Sequence, residues 1–553
     1  MGTATASSAA FAALLAVACG GGDSDDSSGP STGRTGAIDT PIAGNEKLDA
    51  TLTSGVGSDA GSMDPQSLAG TGGGNWPNYS VHFNQPLTID QETSDVKPFA
   101  SDWQWVDNNT ALVLKIKPGV TFHNGEPLTA EQVKFNIDRE LGRAAYNPEY
   151  KSGHKAQFEA VGETTVVDES TLRIEMLRPD VILPTKIAST LYLVPQKYVT
   201  QVGDNEFASK PVGSGPFKFV SRVPDSEIRS ARFDEFFNGR DATYGPRLPY
   251  IANLVQKVIP ENTARTAALD AGEIDIAHNV SADLAKSYEG RSGYKVFYLQ
   301  GDQPMHVHIN TVVERDPATG RPNPWKDLRV RKAANLAVDL DTIIKTILTG
   351  KEKPSYGSAQ QSFGFPTDIE QKRFRHNLGE AKRLLAEAGY PDGFETNFFG
   401  AIGRWPNTED VMQAVAGFLD EVGIRTKIQM QQYQVTTTEL KQHGNFGLTF
   451  WGMSGGSDPG PNFQYGYHGK GAYTNSYDPA LGLDPLILQS ETAFDATERK
   501  RLIGEIITKF YENASWIFLY EPVTVAVARD KVNWPFYNNV LSNIEYWNVR
   551  MAG

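Results

Sequence analysis

One cysteine, Cys19, stands ahead of a Cys-free body that runs to residue 553. No disulfide can therefore join any two points of this chain, and its fold must rest on buried apolar surface and hydrogen bonds. The chain has the means: 39% of its 553 residues are hydrophobic and 10% are aromatic. A chain this long can bury a sizeable core, and at about 150 residues per domain it suggests roughly three units. The net charge is −14, and none of the first 18 residues is charged, so loss of that segment would leave the charge intact. An acidic surface argues against nucleic acid, whose binding needs clustered Lys and Arg. No segment reaches the roughly 20 apolar residues that a membrane-spanning helix requires, and there is no internal repeat.

Cys19 has a particular setting. It closes the run Phe11-Ala-Ala-Leu-Leu-Ala-Val-Ala-Cys19 and is followed by Gly20-Gly-Gly-Asp-Ser-Asp-Asp-Ser-Ser-Gly-Pro30. The apolar run is too short to span a bilayer but fits the apolar region of a signal peptide. The polar tract after it cannot bury enough apolar surface to fold. As a flexible coil to about residue 46 it would reach on the order of 30 Å. The pattern resembles a bacterial lipoprotein signal, in which the cysteine is lipidated and becomes the mature N-terminus. It departs from that pattern at Ala16, where Leu is usual, and in having no Lys or Arg before Phe11. The expectation is a signal peptide over 1–18, a tether over 19–45, and an extracytoplasmic body anchored through lipidated Cys19.

Past residue 46 the pattern alternates between helix and strand. Leu112, Leu114 and Ile116 alternate with Val113, Lys115 and Lys117, as in a half-buried strand. Thr129 with Gln132 predicts a helix start, and Val133, Ile137 and Leu141 give that helix an apolar stripe. Asn377 with Glu380 opens a helix that Gly389 and Pro391 close. A helix is expected from Thr408 to Glu421 with Gly423 as its stop, and another from Asp495, carrying Leu502, Ile503, Ile506, Ile507 and Phe510. Short runs such as Lys427–Met430 and Gly447–Trp451 lie between them. Helix, turn and strand in repetition is α/β architecture.

Enzymatic signatures are missing. The chain has no phosphate loop, no Gly-x-Ser-x-Gly elbow, no His-Glu-x-x-His and no cysteine cluster. No catalytic residue, cofactor or metal ligand is expected. Two of its nine histidines, His306 and His308, sit two apart on an expected strand and share a face. With a carboxylate they would make a metal site; without one they are ordinary strand histidines, the reading preferred here. Asp64, Asp458 and Asp484 each precede proline, a turn signal before anything else.

Read in order, several segments resemble one family. The body opens with Ser62-Met-Asp-Pro65, then Pro98-Phe-Ala-Ser-Asp-Trp103, then Lys117-Pro-Gly-Val-Thr-Phe-His-Asn-Gly125 leading into Thr129-Ala-Glu-Gln-Val133. Gly213-Ser-Gly-Pro-Phe217, Asn310, Asp327-Leu-Arg-Val-Arg331, Leu384 to Pro391, Leu419 to Ile424, Trp451 to Pro459 and Asp495 to Arg499 follow. The chain resembles the peptide/nickel class (family 5) of ABC-transporter solute-binding proteins over nearly its whole length after residue 46. The resemblance implies an α/β, two-lobed periplasmic-binding-protein fold with a hinge and an extra inserted subdomain. Lobe I would comprise 46–75, 192–300 and 523–553, the inserted subdomain 76–191, and lobe II 301–522. A monomer is expected, closing on a small solute and delivering it to an ABC permease in the membrane.

The resemblance also implies a cleft. Ser62, Met63, Trp76, Arg404, Trp451, Ser454, Asp458 and Tyr465 are its candidate ligand contacts, and Trp405 and Tyr467 are further aromatic candidates. Peptide binders of the family hold the ligand's ammonium with an Asp three residues after a Trp, because a buried ammonium needs an anionic partner. Here Trp451 is followed at that position by Ser454, and the loop is one residue longer before Asp458-Pro459. Asp458 either replaces the missing acid or only caps its turn, and the turn is preferred. Arg404 matches a position whose Arg pairs with a peptide carboxylate in some members, a job suited to a planar guanidinium. The solute is thus expected to be a peptide or similar small molecule, anionic or amine-blocked. Alternatives are a nickel-type metal chelate, for which the nearest supporting histidine is His468, a surface sensor without a permease, and a secreted enzyme.

Lipidation has a direct test. Membrane-extracted protein should have the intact mass of a diacylglyceryl-modified chain starting at Cys19, and Cys19→Ala should release the body into the soluble fraction. A soluble unsubstituted chain that begins at Met1 would overturn the localisation.

Overall fold

The computed structural model describes residues 47–60, 62–67, 76–90, 95–237, 249–301, 303–402, 404–453, 456–534 and 546–552, without the side chains of 76–78 and 434. The signal and tether, Cys19 and Ser454 lie outside the described residues.

Three sheets organise the chain. A seven-stranded sheet orders its strands Tyr294–Gln300, Val523–Arg529, Ile276–Ala277, Thr51–Val56, Asn253–Val258, Glu227–Arg232, Phe217–Val223. Thr51–Val56 runs parallel to both of its neighbours, while Val523–Arg529 is antiparallel to both of its own. Val523–Arg529 is apolar on both faces because both are covered. Ala526 and Ala528 pack with Leu52, Ile276 and Tyr546, and Val525 and Val527 pack with Leu269, Ile274 and Tyr288.

A five-stranded sheet has the order Ile424–Gln431, Phe394–Ala401, Leu448–Gly452, Met305–Ile309, Trp516–Phe518. Alternation decides which residues reach which core. Met305, Val307 and Ile309 point into one cluster with Leu448, Phe450 and Ile517. His306 and His308 point the other way, beside Trp516. A four-stranded antiparallel sheet, order Ser101–Val106, Ala111–Ile116, Thr171–Met176, Val161–Asp168, is covered by the helix Ala130–Glu140.

The helix boundaries follow their capping signals. Thr129, Asn377 and Asp495 each accept the backbone N–H three residues on, from Gln132, Glu380 and Glu498. At Thr129 the return half of the capping box is not made. The Gln132 amide instead donates to Glu126 and accepts from the Gln196 backbone. The helices Leu378–Glu387, Thr408–Asp420 and Ala496–Glu512 stand where expected.

The chain crosses between the seven- and five-stranded sheets twice, between Gln300 and Met305 and between Phe518 and Val523. The crossings are tied together: Gly301 N–H donates to Pro522 C=O at 2.7 Å, and the Gln300 amide donates to Glu521 C=O at 3.2 Å. The four-stranded sheet has a different attachment. Arg139, on its covering helix, is fully buried and donates to Asp64 through both terminal nitrogens at 3.1 and 2.5 Å. It also donates to Asp204 at 2.8 Å and to Gln66 at 2.8 Å. Tyr150 donates to Asp64 and Tyr146 to Asp204, so the buried charges are paired and saturated. A second joint is made of backbone. His123 accepts from Gly213 N–H through Nδ1 and donates to Gly215 C=O through Nε2, while Gly215 N–H donates to His82 C=O. A Cβ on Gly213 would lie 2.0 Å from the His82 oxygen, so only glycine permits this approach.

Truncating Arg139 would strand a buried carboxylate. Arg139→Ala should cost about 3–5 kcal/mol of stability, read from denaturant unfolding, with Asp64→Asn close behind. Buried histidines set a second expectation. Burial pushes His123 down to about 4 and His278 and His308 down to about 3, and drives His306 well below its ordinary value. These imidazoles are neutral when folded, and unfolding frees them to bind protons below about pH 6.5. Their contribution is fully present above about pH 6.5 and is lost as pH falls toward 4 and 3. Both ring nitrogens of His308 are buried without a hydrogen bond among the described residues. His308→Phe should therefore raise the thermal midpoint, and by more at pH 4.5 than at pH 7.5.

Candidate functional site

The site grows from the end of the strand Leu448–Gly452. Trp451 is 3% exposed and sits in an aromatic group drawn from separate segments. Tyr433 stacks on it with ring planes 9° apart and centroids at 5.7 Å. Trp405 meets it edge-on at 5.3 Å, and Tyr473 lies tilted at 5.5 Å. Gln303 holds Trp405 by accepting its indole N–H at 2.9 Å. Gly452 makes room for this: a Cβ there would meet Met305 Sδ at 2.8 Å and Trp405 Nε1 at 3.1 Å.

Arg404 lies over this group, half-buried. Its guanidinium carbon stands 5.3 Å from the Trp405 ring centroid and 5.2 Å from that of Tyr433, within cation–π reach. Among the described residues no carboxylate pairs with it, and its Nε is buried without a hydrogen-bond partner. Tyr473 is pushed up to about 12, first by burial and then by Tyr433 and Tyr465, while the Arg404 charge acts in the opposite sense. Lys441 adds a second cation, 5.5 Å from the Tyr473 ring. Tyr465, 38% exposed, belongs to the same neighbourhood. In a chain of net charge −14 this is a locally cationic, aromatic-walled surface.

Other expected contacts have structural duties instead. Both oxygens of Asp458 accept from Arg499, at 2.6 and 2.7 Å, and one also accepts from Gly460 N–H. Both side chains are 7% exposed, so Asp458 is a turn cap held in a buried ion pair and not the replacement acid. Ser62 Oγ accepts from Asp64 N–H, and its carbonyl accepts from Tyr79. Met63 is fully buried against Ala60 and Ile228. The opening segment thus serves the Arg139 joint. Tyr467 donates to Gly357 C=O and stacks on Phe510 at 3.8 Å, which makes it core. Trp76 opens a short helix, Trp76–His82, but its side chain and the whole of Ser454 lie outside the described residues.

His306 and His308 do share a face, with ring centroids 4.9 Å apart, and Trp516 stacks on His306 at 3.7 Å. Among the described residues no group of three His, Cys, Asp or Glu could hold a metal. Tyr433, Tyr473, Gln303 and Lys441 were not singled out from sequence. They come from distant loops and helices without a shared motif, so no local signal joined them.

Comparison with known proteins bears on the family and the fold. The sequence model of bacterial extracellular solute-binding proteins, family 5 (middle region), matches residues 96–475. The glutathione-binding protein GsiB of Pectobacterium atrosepticum is 24% identical over 441 residues, 78% of this chain and 81% of that protein. The oligopeptide-binding protein AppA of Bacillus subtilis is 26% identical over 488 residues, 83% of this chain and 85% of that one. The crystal structure of NikA from Brucella suis in complex with Fe(III)-EDTA superposes with a TM-score of 0.77 at 21% identity, covering 91% of this chain and 100% of that chain. The chain therefore has the two-lobed α/β fold of the periplasmic binding proteins. It belongs to the family 5 bacterial extracellular solute-binding proteins.

Proposed function

We propose that this protein captures a small, peptide-like solute bearing an anionic group between two closing lobes and delivers it to the permease of an ABC importer. The observation that carries the anionic group is Arg404: a guanidinium half-buried among aromatic rings, with no carboxylate paired to it among the described residues. A charge so placed is best satisfied by a bidentate anion from outside the chain. The aromatic walls offer the apolar contact that small-molecule sites use. Relatives named for binding oligopeptide and glutathione support a peptide-like class.

The free-amine end is a separate matter. Ser454 stands where peptide-binding relatives carry an acid, and the nearby Asp458 is committed to Arg499. An unpaired buried ammonium costs several kcal/mol, so the solute in this reading lacks a free amine at that end. In the same reading the seven-stranded sheet is lobe I, the four-stranded sheet is the inserted subdomain, and the segment 301–522 is lobe II. The paired crossings at Gly301 and Pro522 act as the hinge. The protein works as a monomer, held outside the cytoplasm by lipid on Cys19.

Mass spectrometry of small molecules released from the purified protein identifies the solute, and a nickel-type chelate in that fraction would replace the peptide-like reading. Titration calorimetry with the recovered solute then tests the site. Arg404→Ala should weaken binding by about 1.5–3 kcal/mol, and Arg404→Lys should recover only part of it. Unaltered affinity in the Ala variant would remove Arg404 from the site. Plain dipeptides and tripeptides should bind poorly beside N-acylated ones, and tight binding of plain peptides would overturn the amine-blocked reading.

A further inference from the structure

The four-stranded sheet is fastened to the seven-stranded sheet by fully buried charges and backbone bonds, as described for Arg139 and His123. Its contact with the segment 301–522 is of another kind. Trp105, on the strand Ser101–Val106, meets Phe494 edge-on at 5.1 Å with ring planes 88° apart, and both rings are half-buried. Val181 N–H donates to Glu491 C=O at 2.9 Å. Ile182 packs on Gly460, where an added Cβ would lie 3.1 Å from Ile182 Cδ1. Arg178 approaches the Glu491 carboxylate at 3.7 Å, and Gln464 donates to it at 2.6 Å. Behind these, Lys186 pairs with Asp180 at 2.7 Å.

Apart from Lys186, inside the helix Leu183–Thr190, these residues sit at or near strand or helix ends or in connecting segments. Among the described residues, what meets across the patch is one aromatic pair, one backbone hydrogen bond, one loose ion pair and the packing of Ile182 on Gly460. Parting it would bare buried Ile182 and Glu491 and would touch a core only at Trp105, which lies at the margin of the four-stranded sheet's cluster, whereas separating Arg139 from Asp64 would strand buried charge.

We propose that Trp105–Phe494, together with the Arg178 and Val181 contacts to Glu491, is a rim latch that makes and breaks as the lobes move. Residues that touch no solute would then set how far the ligand-free protein closes and how long a solute stays. The latch rests on the closing-lobe reading above. An edge-to-face aromatic pair is worth about tenfold in such an equilibrium.

The test needs no solute. Full-length protein carrying Cys19→Ser, Glu163→Cys and Thr497→Cys, two exposed positions on either side of the rim, is spin-labelled for pulsed distance measurement. The parent should populate a short distance. Trp105→Ala with Phe494→Ala should move the short-to-long ratio about tenfold toward long, with a single cooperative thermal transition reporting an intact fold. Trp105→Phe, which keeps a ring, should retain most of the short population. A parent with no short population, or identical distributions in parent and double variant, would overturn the latch. With a recovered solute, the double variant should release it about tenfold faster at a similar association rate, and release at the parent rate would also overturn it. Failure of the solute reading looks different: no retained molecule in mass spectrometry, with label distances still shifting as stated.

Discussion

The structure depends most on one buried guanidinium. Arg139 is fully buried, and its charge is tolerable only because Asp64 and Asp204 accept from it while Gln66, Tyr146 and Tyr150 complete the network. Such a network is costly to leave half-made, so it fixes the four-stranded sheet against the segment that opens the body. Gly213 and Gly215 add a backbone joint that tolerates no side chain at Gly213. Much of the family motif content is spent here. Ser62-Met-Asp-Pro65, the Phe-His-Asn-Gly segment and Gly213-Ser-Gly-Pro all serve the same junction.

With that junction fastened by buried charge, the proposed hinge is left at the two tied crossings between the larger sheets. The candidate functional surface lies beyond them, at the end of the strand Leu448–Gly452. Its logic is electrostatic. A protein of net charge −14 repels anions at long range, yet Arg404 and Lys441 flank one aromatic group with no acid among the described residues paired to Arg404. The carboxylate that the neighbouring loop does carry, Asp458, is neutralised by Arg499 within the fold. In the proposed reading, Ser454 in place of an amine-pairing acid and a guanidinium with no carboxylate among the described residues point the same way, toward a solute recognised by its negative end.

Much of the local structure was legible in the sequence. Caps at Thr129, Asn377 and Asp495 and glycine stops at Gly389 and Gly423 mark helices because capping is a short-range interaction between neighbouring residues. The strand Ala111–Ile116 was legible by alternation. The site was legible only in part. Arg404 and Trp451 stand out through motif resemblance, while Tyr433 and Tyr473 stack on Trp451 from segments with no sequence relation to it. Asp458 had two readings that differ only in which way a carboxylate points, and a partner 41 residues away settles that.

The sequence by itself determined a disulfide-free α/β chain, its helix boundaries, and membership in a solute-binding family, because these rest on local periodicity, capping and ordered motifs. Tertiary structure alone decided the sheet order, which motif residues became mortar and which stayed available, and that Arg404 has an aromatic cradle but no counter-ion among the described residues. Those are outcomes of long-range packing. Whether a charge is spent inside the fold or left for a ligand depends on which distant side chain folding brings to it.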